Sequence, residues 1–208
     1  MFKVGSRLFT AAGPAAMAEL AGLSQGIFLD LKFHDIPSTV GGAVAAGAKL
    51  PGVRLMTLHA SGGSEMMEAA RRAVGGLGDP PRLLGVTILT SLNAASLRRV
   101  GISGSVATSA ARLAKLSEGA GMDGVVTSAR EAKAIRRACG KDFIILVPGV
   151  RPSWAAAEDQ ARVSTPAEAI RAGADYVVVG RPVTAARDPH EAVMRILEEI
   201  ASALPSRV

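Results

Sequence analysis

The chain has 208 residues, 49% of them hydrophobic and 20% charged, with a formal net charge of +6. That is globular composition with apolar material for a large core, and no run approaches the roughly 18 apolar residues of a membrane-spanning helix. One Tyr, one Trp and five Phe are few platforms for stacking bases, and the positive charge forms no tail or stripe, so neither nucleic acid nor a membrane is expected as partner.

In chain order, the first predicted strand is Phe2–Val4, and a helix follows over Pro14–Leu20. Lys3 and Arg7 ahead of Leu-Phe-Thr-Ala-Ala resemble the start of a secretion signal, but Gly13-Pro14 interrupts the apolar stretch and argues for strand, turn and helix instead. The second strand, Ile27–Phe33, carries Asp30 and Lys32 two apart inside an apolar run. A side-chain period of two sets both on one face. An ion buried in such a run costs several kcal/mol unless it is partnered, so Asp30, Lys32 and Asp35 read as charges of alternating sign at the strand's carboxyl end. The plainer alternative is a structural salt bridge with Asp35 capping a helix that starts near Ile36-Pro37. That helix is predicted over Thr39–Ala48.

Further along come strands at Leu55–His59, Leu83–Thr90, Gly124–Thr127, Phe143–Val147 and Tyr176–Val179. Between and after them the pattern predicts helices at Ser64–Val74, Val106–Ala120, Ala129–Cys139, Thr165–Ala172 and Pro189–Ala203. His59 closes its strand and suits packing or ligand contact equally, while alternation turns His34 away from the face of Lys32. Thr90 and Ser91 close another strand, where hydroxyls can meet a polar ligand or cap the segment starting near Ala94. Cys139 is the only cysteine, so no intrachain disulfide forms, in keeping with a reducing cytoplasm. His34, His59 and His190 show no metal-ligand spacing, and no metal is expected.

Strand–helix alternation with no linker or low-complexity tract implies one α/β domain over residues 1–208, a parallel sheet with helices outside. Seven units of about thirty residues fit a (β/α)8 TIM barrel that lacks its first strand–helix unit. A parallel barrel short of one strand leaves two open edges, which favours a reading frame that starts upstream of Met1 over a true truncation. Active sites of such barrels lie at the carboxyl ends of the strands, and phosphate is commonly held by the last two loops. Arg151, in Val-Pro-Gly-Val-Arg-Pro, and Gly180-Arg181, in Val-Val-Gly-Arg-Pro, occupy two such loops. Arg181 offers a two-pronged guanidinium, Gly180 allows close backbone approach, and Gln160 between the loops adds an amide donor. Trp154 in the same region has no assigned role.

The string Asp30-x-Lys32-x-x-Asp35-Ile36-Pro37-x-Thr39 resembles the signature of the orotidine 5'-phosphate decarboxylase family. Lys3-Val-Gly-x-x-Leu-Phe-Thr-x-x-Gly-Pro resembles the same family, as do the two late loops, so the likeness runs over essentially the whole chain. It implies decarboxylation of orotidine 5'-phosphate to UMP with no cofactor, in the cytoplasm, by a homodimer. It also implies an array Lys3–Asp30–Lys32–Asp35, with Asp35 given to the neighbouring subunit's site. Lys32 would stabilise the carbanion at C6 and protonate it, and Asp30 would hold Lys32. The nucleotide would fall to Arg151, Gln160, Gly180 and Arg181, the base to Thr90 and Ser91, and further contacts to Ile36, Pro37 and Thr39. The alternatives are a magnesium-dependent sugar-phosphate decarboxylase of the same superfamily and a relic that binds phosphate without catalysis.

Overall fold

The computed structural model describes residues 1–155 and 164–204. Seven strands follow one another in the sheet in chain order: β1 (Phe2–Gly5), β2 (Ile27–Phe33), β3 (Val53–His59), β4 (Arg82–Val86), β5 (Gly124–Val126), β6 (Ile144–Val147) and β7 (Tyr176–Val177). The pairs β1–β2, β2–β3, β3–β4 and β6–β7 are parallel. Helices α1 (Ser6–Ala12) and α2 (Ala15–Ala21) follow β1, and α3 (Pro37–Gly47) follows β2. α4 (Ser64–Val74) follows β3, and α5 (Ala94–Arg99) and α6 (Val106–Gly119) follow β4. α7 (Ala129–Cys139), α8 (Pro166–Arg171), α9 (Arg181–Thr184) and α10 (Pro189–Ala203) complete the order. The predicted α/β alternation is therefore present, with seven strand–helix units.

Several bounds differ from the sequence reading, each for a local reason. Helix α3 begins at Pro37 rather than Thr39, because proline's fixed φ and missing N–H suit the first helical position. Its N-cap residue is Ile36 and not Asp35. Strand β4 ends at Val86, so Thr87–Thr90 leave the sheet, whereas the sequence predicts one strand over Leu83–Thr90. The short helices α1 and α9 were not anticipated. Each spans two turns or fewer, too little for a 3.6-residue period to show.

The chain divides into two compact units, Met1–Thr87 with Leu113–Val125, and Ile88–Arg112 with Val126–Val208. In the first, β2 and β3 are buried on both faces, as parallel strands under helices must be, with Ile27, Leu29, Met56 and Leu58 fully buried. Helix α4 adds Met66, Met67, Ala70 and Val74 from one stripe, with Glu65 in its first turn and Arg71 and Arg72 in its last, matching the helix dipole. Gly47 lets α3 close on the sheet: a Cβ there would lie 2.5 Å from the Met56 Cε.

In the second unit, Ile145, Leu146 and Val147 of β6 pack in a core with Ile135 of α7 and Ala169 of α8. Helix α8 starts with a reciprocal cap, Thr165 accepting from the Glu168 N–H while Glu168 accepts from the Thr165 N–H. Asp188 caps α10 by accepting from His190 and Glu191.

One device recurs at the amino ends of the strands. Asp123, just before β5, accepts the Leu83 N–H at 2.8 Å and holds Arg71 of α4 at 3.1 Å and Arg82 at 3.0 Å. Asp175, just before β7, does the same with the Ile145 N–H at 2.7 Å and Arg136 of α7 at 2.6 Å. Each carboxylate fastens a strand to its neighbour and to a helix with charge-assisted bonds.

Candidate active site

Strand β2 departs from regular pairing where its charges lie. Leu29 pairs with Met56 and Phe33 with Leu58, so Asp30, Leu31 and Lys32 stand opposite the single residue Thr57. Lys32 absorbs the excess with φ 53°, the only non-glycine residue with positive φ among those described. A lysine in that region costs on the order of 1 kcal/mol, a cost that persists only where its surroundings over-determine it. The bulge replaces the simple alternation expected from the sequence, yet it brings the predicted pair together. Lys32 Nζ donates to Asp30 Oδ2 at 2.8 Å.

Lys3 arrives from β1. Register sets Phe28 beside Lys3 and Asp30 beside Gly5, so the lysine must reach along its own strand to meet the acid. It does, with Nζ 3.4 Å from the same Oδ2. Gly5 leaves the ammonium room in this position, since a Cβ there would lie 2.9 Å from Lys3 Nζ. Asp30 is thus a buried carboxylate, its side chain 9% exposed, with two part-exposed ammoniums on one oxygen.

The other oxygen belongs to Thr57, which is fully buried on β3. Thr57 Oγ1 lies 3.0 Å from Asp30 Oδ1 and accepts the backbone N–H of Lys32 at 3.0 Å. The sequence reading missed this residue. The signal it offered was a polar side chain inside the apolar run Leu-Met-Thr-Leu, the same argument that singled out Asp30.

Asp35, the fourth expected member of the array, is exposed, and its Oδ1 accepts the N–H of Ile36 at 2.7 Å. Ile36 is 63% exposed, and Thr39 is exposed on the first turn of α3, with Pro37 half-buried between them. His59 at the end of β3 packs its ring against His34, with centroids 5.1 Å apart and planes tilted by 39°. Burial, then the neighbouring His34 and Lys32, push the His59 imidazole below its ordinary value, against a smaller pull from Asp30. These surroundings favour the neutral form of the His59 ring.

In the second unit, Thr90 is half-buried and Ser91 exposed. The cap of α5 is Asn93, whose side chain accepts from the Ser96 N–H at 2.9 Å, so neither hydroxyl fills the capping role weighed from sequence. Arg151 is buried in the loop after β6, its N–H donating to the Ser164 carbonyl at 2.9 Å. Gly180 and Arg181 follow β7, the strand next to β6, and Gly180 is the N-cap of α9. Arg181 is exposed on the first turn of this short helix. Gln160 lies outside the described residues. Trp154, unassigned from sequence, lies against Arg195 of α10, the guanidinium 4.4 Å from the ring centre. Among the described residues no three His, Cys, Asp or Glu side chains gather as a metal site, and no helix is long and apolar enough to cross a membrane.

Comparison with known proteins identifies the family. Residues 1–196 match the family described as orotidine 5'-phosphate decarboxylase / HUMPS. A protein of Trichlorobacter lovleyi named orotidine 5'-phosphate decarboxylase is 54% identical over 205 residues, which cover 97% of this chain and 85% of that one. Its namesake from Pelobacter propionicus is 55% identical over 209 residues, covering 99% and 86%. Among solved structures, orotidine 5'-phosphate decarboxylase from Lactobacillus acidophilus superposes with a TM-score of 0.83 at 38% identity, over 95% of this chain and 85% of that one. The parallel strand order and this likeness assign the (β/α)8 barrel fold class, with seven units present. With the family model spanning residues 1–196 and relatives more than half identical over nearly the full length, the chain belongs to the orotidine 5'-phosphate decarboxylase / HUMPS family.

Proposed function

We propose that the chain decarboxylates orotidine 5'-phosphate to UMP, using its own side chains and no cofactor. The observation that carries this reading is the buried Asp30 carboxylate with the Lys32 and Lys3 ammoniums on one oxygen, between the adjacent strands β1 and β2. Fixed charge of this kind stabilises a developing anion without reorganising as the reaction proceeds.

In the proposed step the bond from C6 to the substrate carboxylate breaks and carbon dioxide departs. The electron pair stays on C6, next to the ammonium of Lys32. Lys32 then gives its proton to C6, completing UMP, and regains one from solvent. Asp30 orients Lys32, and its negative charge crowds the departing carboxylate. Lys3 shares the Asp30 oxygen and adds a second fixed positive charge beside it.

The remaining assignments follow the family pattern. Arg151, Gln160, Gly180 and Arg181 take the phosphate, the guanidinium of Arg181 pairing with two of its oxygens. Thr90 and Ser91 meet the polar edge of the base. Ile36, Pro37 and Thr39 contact the substrate, and Asp35 completes the neighbouring copy's array. The working form is a homodimer in the cytoplasm.

The test is formation of UMP from orotidine 5'-phosphate by the purified chain with EDTA present. Turnover that chelation leaves unchanged supports the reading. Turnover abolished by EDTA assigns a metal-dependent sugar-phosphate chemistry instead, and no UMP from a folded, dimeric chain rejects decarboxylation.

A further inference from the structure

We propose that Thr57 is a positioning residue for the decarboxylation, its hydroxyl linking the backbone of Lys32 to the carboxylate of Asp30. This rests on the function proposed above. Two distances define it: the Lys32 N–H to Thr57 Oγ1 at 3.0 Å, and Thr57 Oγ1 to Asp30 Oδ1 at 3.0 Å.

The direction of the chain is forced by chemistry. A backbone N–H only donates and an ionised carboxylate only accepts, so the hydroxyl must accept from Lys32 and donate to Asp30. Each bond does separate work. At the bulge, Leu29 and Phe33 keep partners on β3 while the residues between them stand opposite Thr57 alone. The Lys32 amide thereby turns to a side-chain oxygen, and that bond holds the left-handed backbone at φ 53° from which the lysine side chain leaves. The second bond occupies Oδ1, which fixes the rotation of the carboxylate and leaves Oδ2 facing both ammoniums, at 2.8 and 3.4 Å. One fully buried hydroxyl therefore sets where the proton donor starts and which way its partner faces.

Thr57 touches no reacting atom in this scheme, so its removal should slow the chemistry while leaving the nucleotide bound. Thr57→Val keeps the branched shape and deletes both bonds. Its kcat should fall by about 30- to 100-fold, the scale of a misplaced reacting group, with the Kd for UMP within about threefold of wild type. Thr57→Ser and Thr57→Ala both lack the methyl and differ only in the hydroxyl, so they remain a matched pair if the valine variant folds poorly. The serine chain should recover kcat to within about threefold of wild type, and the alanine chain should fall as far as valine.

A kcat for Thr57→Val within threefold of wild type overturns the inference. So does equal kcat in the serine and alanine variants, or a loss of kcat matched by an equal loss of UMP affinity, which marks a merely structural threonine. A wild-type chain inert toward orotidine 5'-phosphate defeats the underlying function instead, so the two failures are told apart by the wild-type control.

Discussion

Asp30 and Asp123 make an instructive pair within the first unit. Both are carboxylates with side chains about a tenth exposed, and both have two cations within 3.4 Å. They differ in what those cations are and in the backbone around them. Asp123 holds two guanidiniums and a strand N–H in regular geometry, groups that never release a proton at ordinary pH. Asp30 holds two ammoniums, beside a bulge whose central lysine sits in the left-handed region. Burial and charge count alone do not separate a rivet from a reactive site. Partner chemistry and stored backbone cost do.

The contrast breaks most visibly in kinetics. Asp30→Asn removes the charge that holds Lys32 and Lys3, and kcat for UMP formation should drop by about 10³-fold or more, the range seen when preorganised charge is lost. A drop below tenfold would put Asp30 in the same class as Asp123.

The converse substitution should touch stability and leave catalysis alone. Asp123→Asn takes the countercharge from Arg71 and Arg82 and weakens the bond to the Leu83 N–H. Because Arg82 is exposed and Arg71 only half-buried, the loss should be about 2 kcal/mol rather than the larger value for a fully buried pair. Urea unfolding measures it, and kcat of the folded fraction should match wild type. A changed kcat at unchanged stability would contradict the separation of roles.

Arg181→Ala probes the second unit, where the loop after β7 carries the phosphate contact proposed above. Its loss should raise KM about 10- to 100-fold, the equivalent of one or two charge-assisted hydrogen bonds. Because phosphate binding far from C6 is used at the reacting carbon, kcat should fall as well. An unchanged KM would free Arg181 from the site.

The smallest effect concerns His59. Its folded imidazole titrates below 6.5, so as pH falls under that value the unfolded chain takes up a proton that the folded chain does not. The His59 contribution is therefore flat above pH 6.5 and is lost progressively below it, with a slope of at most about 1.4 kcal/mol per pH unit until the folded ring also protonates. The difference in unfolding free energy between wild type and His59→Phe, followed from pH 7.5 to 5, should show that slope. A flat difference would mean that His59 titrates normally.

Much of this was legible in the sequence because the physics is local. Asp30 and Lys32 announce themselves as charges in an apolar run, and Gly180 after Val179 announces room for close backbone approach. The alternation of apolar runs with Ala-rich stretches gave the strand–helix order for the same reason. What stayed hidden depends on pairing across strands. Thr57 has ordinary strand propensity and acquires a task only because β2 bulges opposite it. Nothing in Leu-Lys-Phe signals a left-handed lysine. Asp123 and Asp175 gave no signal at all, since the N–H groups they accept lie forty and thirty positions earlier in the chain.

The central claim is that the ammonium of Lys32 carries the reaction. Its most direct test is the rate of UMP formation by Lys32→Ala beside the affinity of that variant for UMP. Turnover reduced by at least about 10⁴-fold, with UMP still bound, is the result expected for loss of both the stabilising charge and the proton donor. Turnover within tenfold of wild type would contradict it.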